Sequence, residues 1–189
     1  MELFDEKKFE QVDFAIQGLT MGEYENCSFV NCNFSNLDLS NYIFIDCIFI
    51  GSNISLVKLS NTIFRDIQFK ECKMIGLQFS DTNSFGLSVT FKECILTNSS
   101  FYKTKIKKTS FIDSKLNEVD FTECELSESV FENCDLAGAV FSFSNIERVD
   151  FTTAYNYSID IDSNKIKKSK HSTSGLAGLL DKYDIIVSH

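Results

Sequence analysis

Apolar residues recur along this chain with a period of five. From Phe4, steps of five meet Phe9, Phe14, Leu19, Tyr24, Phe29, Phe34, Leu39, Phe44, Phe49, Ile54, Leu59, Phe64, Phe69, Met74 and Phe79. The register then slips by two and resumes at Phe91, running through Leu96, Phe101, Ile106, Phe111, Leu116, Phe121, Leu126, Phe131, Leu136, Phe141, Ile146 and Phe151. Five matches neither the 3.6 residues of a helical turn nor the alternation of a flat strand. The chain must therefore turn a corner in every repeat.

A second inward position lies two residues before each central one and carries small side chains: Cys32, Val57, Thr62, Ser99, Ala139 and Ser144 are examples. The other three positions are mostly Asn, Asp, Ser, Glu, Lys and Thr, as expected of side chains that meet water. A longer period of twenty is superimposed, with Phe91, Phe111, Phe131 and Phe151 in one column and Leu96, Leu116 and Leu136 in another. Four repeats per coil place like over like at the ~4.8 Å spacing of a β-ladder. The prediction is an all-β, four-sided solenoid of about seven coils.

The units Ser-Lys-Leu-Asn-Glu (114–118), Cys-Glu-Leu-Ser-Glu (124–128) and Cys-Asp-Leu-Ala-Gly (134–138) resemble the A(D/N)LXX motif of pentapeptide-repeat proteins. That resemblance covers about residues 4–155 and implies a right-handed quadrilateral β-helix. It implies little about function, because one fold hosts many.

Composition sharpens this picture. The chain has 19 Phe, no Pro, no Trp and 8 Gly in 189 residues, so its turns come from the coil itself rather than from Pro and Gly. Its formal charge is −9, which disfavours direct contact with nucleic acid or anionic lipid and points to basic partners. The first residues lack the apolar run of a signal peptide and no stretch reaches the ~20 apolar residues of a membrane span. A cytoplasmic protein without membrane attachment is expected.

All seven cysteines sit at the small inward position, so they are read as packing residues rather than disulfide partners or metal ligands. The two histidines, His171 and His189, join no nucleophile or metal motif. No catalytic set, cofactor or metal site is expected, and the protein is not read as an enzyme.

Residues 113–150 carry ten acids against Lys115 and Arg148, and residues 1–26 carry seven acids against two lysines. The twenty-residue register sets Lys103 under Glu123, Lys105 under Glu125, Lys108 under Glu128 under Arg148, and Lys115 under Asp135. Asp113, Glu118, Asp120, Glu132, Glu147 and Asp150 are read as lacking a base one coil away. These six form the candidate partner-binding acidic face; the competing reading is that they only keep a rod soluble.

The slip at 80–90 contains Ser84, Phe85, Gly86 and Leu87 and reads either as a contact loop or as a kink between two coil stacks. After residue 155 a different segment, 156–189, is expected. In it Ser174 would cap a helix bearing Leu176, Leu179, Leu180 and Tyr183 on one stripe, followed by a strand at Ile185, Ile186 and Val187. It would either cover the end of its own solenoid or form a two-fold homodimer. The segment 159–187 resembles the C-terminal module of the quinolone-resistance (Qnr) subgroup. That resemblance implies a dimeric rod occupying the DNA-binding saddle of DNA gyrase or topoisomerase IV, with resistance to quinolones or to a gyrase toxin as the outcome. A scaffolding repeat protein with an unrelated partner is the alternative.

Overall fold

The computed structural model describes residues 1–185. In chain order the elements are β1 (Glu2–Asp5), β2 (Lys8–Glu10), α1 (Phe14–Gln17), β3 (Gly22–Glu25), β4 (Ser28–Val30), β5 (Ile43–Ile45), β6 (Ile48–Ile50), β7 (Ile63–Arg65), β8 (Ile67–Lys70), β9 (Val89–Lys92), β10 (Ser110–Ile112), β11 (Val130–Glu132), β12 (Asp150–Phe151) and β13 (Lys170–His171). Every pairing is parallel. One face of the rod is a nine-stranded sheet running from β2 to β13, and an adjoining face is a four-stranded sheet of β1, β3, β5 and β7. The other two faces are rows of single bridges, such as Asn33 to Asn53 to Lys73 to Ile95 and Ser100 to Asp120 to Val140. Nine stacked strands make about eight turns, one more than the sequence period indicated.

Each corner is made by the residue two after the central one, which adopts a left-handed backbone: Asn26, Asn31, Asn36, Asn41, Asp46, Asn61 and Glu71 all have φ between 51° and 65°. Asn and Asp tolerate this region better than other non-glycine residues, which is why the corners need neither Pro nor a glycine in every repeat. Phe143 occupies such a corner (φ 54°) while 74% exposed. Phe143→Asn is accordingly expected to stabilise the rod by about 1 kcal/mol, read as a rise in urea midpoint at constant slope.

The central residues fill the core as stacked columns. Phe91, Phe111, Phe131 and Phe151 lie 4.8–5.0 Å apart, nearly parallel, and meet the Phe101, Phe121, Phe141 column edge to face at 5.7–6.1 Å. These are the offset-stacked and T-shaped geometries that aromatic quadrupoles favour. The small inward residue does more than fill space. Ser144 Oγ donates to the Phe121 carbonyl (2.6 Å), and Cys47 and Cys134 thiols reach the Tyr24 and Phe111 carbonyls at 3.2 and 3.3 Å, in each case one coil below. Cys, Ser and Thr interchange at this position because each offers a donor of similar size.

Three sequence expectations are corrected. The coil continues past residue 155: β13 pairs with β12, Asn145 bridges Lys165, and His171 stacks on Phe151. The segment beyond is not an α-helix but two 3-10 turns, Ser174–Leu179 and Asp181–Tyr183, and Ser174 makes no capping bond. The reason lies in packing: a Cβ on Gly175 or Gly178 would collide with Tyr157, so the two glycines let the segment press its backbone onto the solenoid end. Ile185 is exposed and outside any strand, while Ile186 and Val187 lie outside the described residues. Among the described residues no helix is long and apolar enough to cross a membrane.

Candidate interaction surface

A convex rod offers its faces and edges rather than a cleft. The edge where the nine-stranded face turns a corner carries Glu71, Glu93 and Asp113 on three successive coils. All three are left-handed (φ 53°, 55° and 49°), and their N–H groups donate to the carbonyls of Lys92, Ile112 and Glu132 in the coil above at 2.8–2.9 Å. Their side chains are exposed. The coil sets these three acidic positions in line on the backbone at roughly 4.8 Å intervals. Lys92 approaches Glu93 at 3.5 Å, and Asn133 Nδ2 donates to Asp113 Oδ1 at 3.1 Å. Glu71 and Glu93 were missing from the six acids picked out in the sequence. The coil register was the signal that could have found them: Glu93 lies one coil below Asp113, and Glu71 one coil below Glu93 across the two-residue slip.

Those six acids do not share a face. Asp113 stands in the row just described, and Glu132 and Asp150 lie on the strands beside it. Glu118 sits on the next edge round, its carboxylate lying over Gly138, which takes a left-handed backbone (φ 70°) one coil above. Asp120 lies on the following face, in line with Ser100 and Val140, and accepts from the Thr122 N–H at 2.8 Å. Glu147 lies on the face begun by β1, at a shallow depression of about 330 Å³ that it shares with Lys107, Arg148, Lys167 and Lys168. Nor does Asp150 lack a base: Lys170 lies 3.0 Å away. Hydrogen bonds from Thr152 and this lysine outweigh partial burial and hold the Asp150 carboxyl below its ordinary pKa.

The expected coil-to-coil ion pairs mostly form. Lys103 meets Glu123 at 3.5 Å, and Glu128 sits between Lys108 (3.8 Å) and Arg148 (3.7 Å). Glu125 is reached by Lys107 at 3.9 Å instead of by Lys105. Asp135 accepts from Asn117 and Asn156 at 2.9 and 2.8 Å, with Lys115 aligned beneath it. Pairs this exposed are worth about 0–1 kcal/mol each. They cancel charge more than they hold the rod together.

The slip at 80–90 is a bulge on one face, not a division of the rod. The face of β1, β3, β5 and β7 ends there and resumes as the row Lys105, Glu125, Asn145, Lys165, while β8 still pairs with β9 and Gln78 still bridges Ser100. The loop returns to the ladder where Ser88 N–H donates to the Phe64 carbonyl at 3.1 Å. Leu87 packs against the core beside it. Ser84 and Gly86 flank Phe85, which projects into solvent at 79% exposure. At the far end Leu179 packs on the core, Leu180 is half-buried, and Leu176, Tyr183 and Ile185 are exposed.

The seven thiols are free and buried, and burial pushes Cys47, Cys124 and Cys134 up to about 12. These three stay protonated donors at neutral pH, unsuited to nucleophilic chemistry.

A family profile described as "Pentapeptide repeat region" matches residues 23–85 and 87–155. No curated protein matches the sequence significantly. Among solved structures, full-length QnrB1, a plasmid-mediated fluoroquinolone resistance protein, aligns over 97% of this chain and 100% of its own, at 16% identity and a TM-score of 0.59. A trypsin-treated QnrB1 variant aligns over 99% and 100%, at 19% identity and a TM-score of 0.51. At such identity the likeness speaks for the fold.

Proposed function

The chain belongs to the pentapeptide-repeat family, and we propose that this member works by binding: an acidic rod that occupies the DNA-binding saddle of a type II topoisomerase, DNA gyrase or topoisomerase IV, and modulates it or protects it from quinolones or a gyrase toxin. The observation that carries this reading is the end-to-end alignment with a fluoroquinolone resistance protein, C-terminal segment included. The Glu71, Glu93, Asp113 row supports it by setting three exposed acids on one edge of three successive coils. The decisive assay is gyrase supercoiling with purified protein added. Inhibition at micromolar concentration is expected, and no effect there overturns the reading.

Two copies join through their C-terminal segments in this proposal. Exposed apolar side chains gather at that end: Val140, Phe143, Tyr155, Leu176, Tyr183 and Ile185. Light scattering should return about twice the chain mass of 21.5 kDa. Leu176→Asp should give a monomer without loss of fold, because Leu176 is exposed whereas Leu179 packs on the core.

One observation favours the alternative, a scaffold for an unrelated protein. Ile43, Ile45, Ile48 and Ile50 point outward around one corner of a single coil and remain only partly covered. A surface acting as DNA has no use for such a patch. Capture from a lysate discriminates, since a topoisomerase is recovered only under the first reading.

A further inference from the structure

His171 stands where the long column places phenylalanine. It stacks on Phe151 (5.4 Å, 15°) and closes the Phe91, Phe111, Phe131, Phe151 series. Both ring nitrogens are engaged, and the hydrogen bonds around them have a direction. Ser169 Oγ donates to the Ile166 carbonyl at 2.9 Å, so it accepts from His171 Nε2–H at 3.0 Å. That leaves Nδ1 as the acceptor of the Tyr157 O–H, also at 3.0 Å. The chain Tyr157 to His171 to Ser169 to Ile166 is complete for the neutral imidazole alone. A proton on Nδ1 turns that atom into a second donor and reverses the Tyr157 bond.

Tyr157 is also the floor on which the C-terminal segment rests. Gly175 and Gly178 lie against it too closely for any side chain, and the Gly178 carbonyl accepts from the Ile159 N–H at 2.9 Å. Beyond this contact a separate clip holds the segment: Lys182 reaches Asp160 and Asp162, and Tyr183 donates to Asp162 at 2.9 Å.

We propose that His171 is a positioning residue for the C-terminal segment: through Tyr157 its neutral form fixes where the segment docks, so that docking, and the dimer contact assigned to it above, depends on a single proton. The dimer part rests on the reading of the previous subsection. The charged groups near the ring are Asp150 on the strand below, already paired with Lys170 at 3.0 Å, and the Asp160, Asp162 and Lys182 clip on the far side of Tyr157. Burial holds the imidazole below its ordinary pKa, with Asp150 pulling weakly the other way. A histidine with a lowered folded pKa contributes stability that is full above its unfolded pKa of about 6.5 and is lost as pH falls below it. The clip carboxyls are held low by Lys182 and titrate in a more acidic window.

The Ile159 amide reports docking directly, in monomer or dimer. Its hydrogen-exchange rate, divided by the intrinsic rate at each pH, should rise at least tenfold between pH 7.5 and pH 5 in the native protein. In His171→Phe, which extends the phenylalanine column, the ratio should stay flat. In Tyr157→Phe, which keeps the ring and removes the hydroxyl, the pH step should vanish as well. A flat profile in the native protein, or an equal step in His171→Phe, overturns the proposal. Light scattering across the same range separates the two readings: a monomer at every pH with the Ile159 step intact removes the dimer and leaves the positioning role standing.

Discussion

Phe111→Ala is expected to lower the unfolding free energy by about 3–5 kcal/mol, the usual cost of emptying a large aromatic site in a core. Phe111 is fully buried, stacked on Phe91 at 5.0 Å and Phe131 at 4.8 Å, and touches Phe101 and Phe121 edge on at 5.9 Å each. The columns cannot collapse into the gap, because each coil is pinned to its neighbours by the ladder hydrogen bonds of β10 to β9 and β11. Stability in a stacked-repeat rod is close to a sum of intrinsic and neighbour terms. A weak coil in mid-rod should therefore also loosen the coupling between the two halves. Urea unfolding followed by far-UV circular dichroism is expected to lose its single sharp transition. Phe111→Leu should cost far less, since leucine fills the equivalent position at Leu116 and Leu136. A loss below about 1 kcal/mol for the alanine variant would mean that the Phe column is not the spine of the molecule.

The same columns explain how much of the molecule was legible in its sequence. A period of five repeated over most of the chain admits one backbone solution, and the twenty-residue match sets the register that β9, β10 and β11 show. The coil was lost to view after residue 155, because Asn164 and His171 put polar side chains at inward positions there without breaking the ladder, and Ile166 alone continues its apolar column. The leucines at 176, 179 and 180 fit a helical stripe, but Gly175 and Gly178 are dictated by contact with Tyr157, a long-range constraint with no local signature. The acids were misgrouped for a related reason. Nearness in sequence gathers Glu118, Asp120 and Glu147 with Asp113, whereas the coil brings Glu93 and, across the two-residue slip, Glu71 onto its edge and disperses the other three.

That regrouping yields the second large expected effect. Glu71→Lys, Glu93→Lys and Asp113→Lys combined should raise the concentration needed to inhibit gyrase supercoiling about a hundredfold, since like charges facing each other across an interface cost several kcal/mol and 1.4 kcal/mol is tenfold. The fold should survive, because Lys103 and Lys108 already occupy equivalent left-handed corners (φ 57° and 59°). A control with the same change in net charge places lysine at Glu118, Asp120 and Glu147, which lie on different faces of the rod. If one edge meets the enzyme, the control should lose less than tenfold. Equal losses in the two triple variants would mean that total charge, not the row, drives binding. Raising the salt should weaken inhibition by the native rod and narrow its advantage over the Glu71, Glu93, Asp113 variant, because exposed charges are screened within about 10 Å at 0.1 M ionic strength. A salt-independent difference between them would place the row outside the contact.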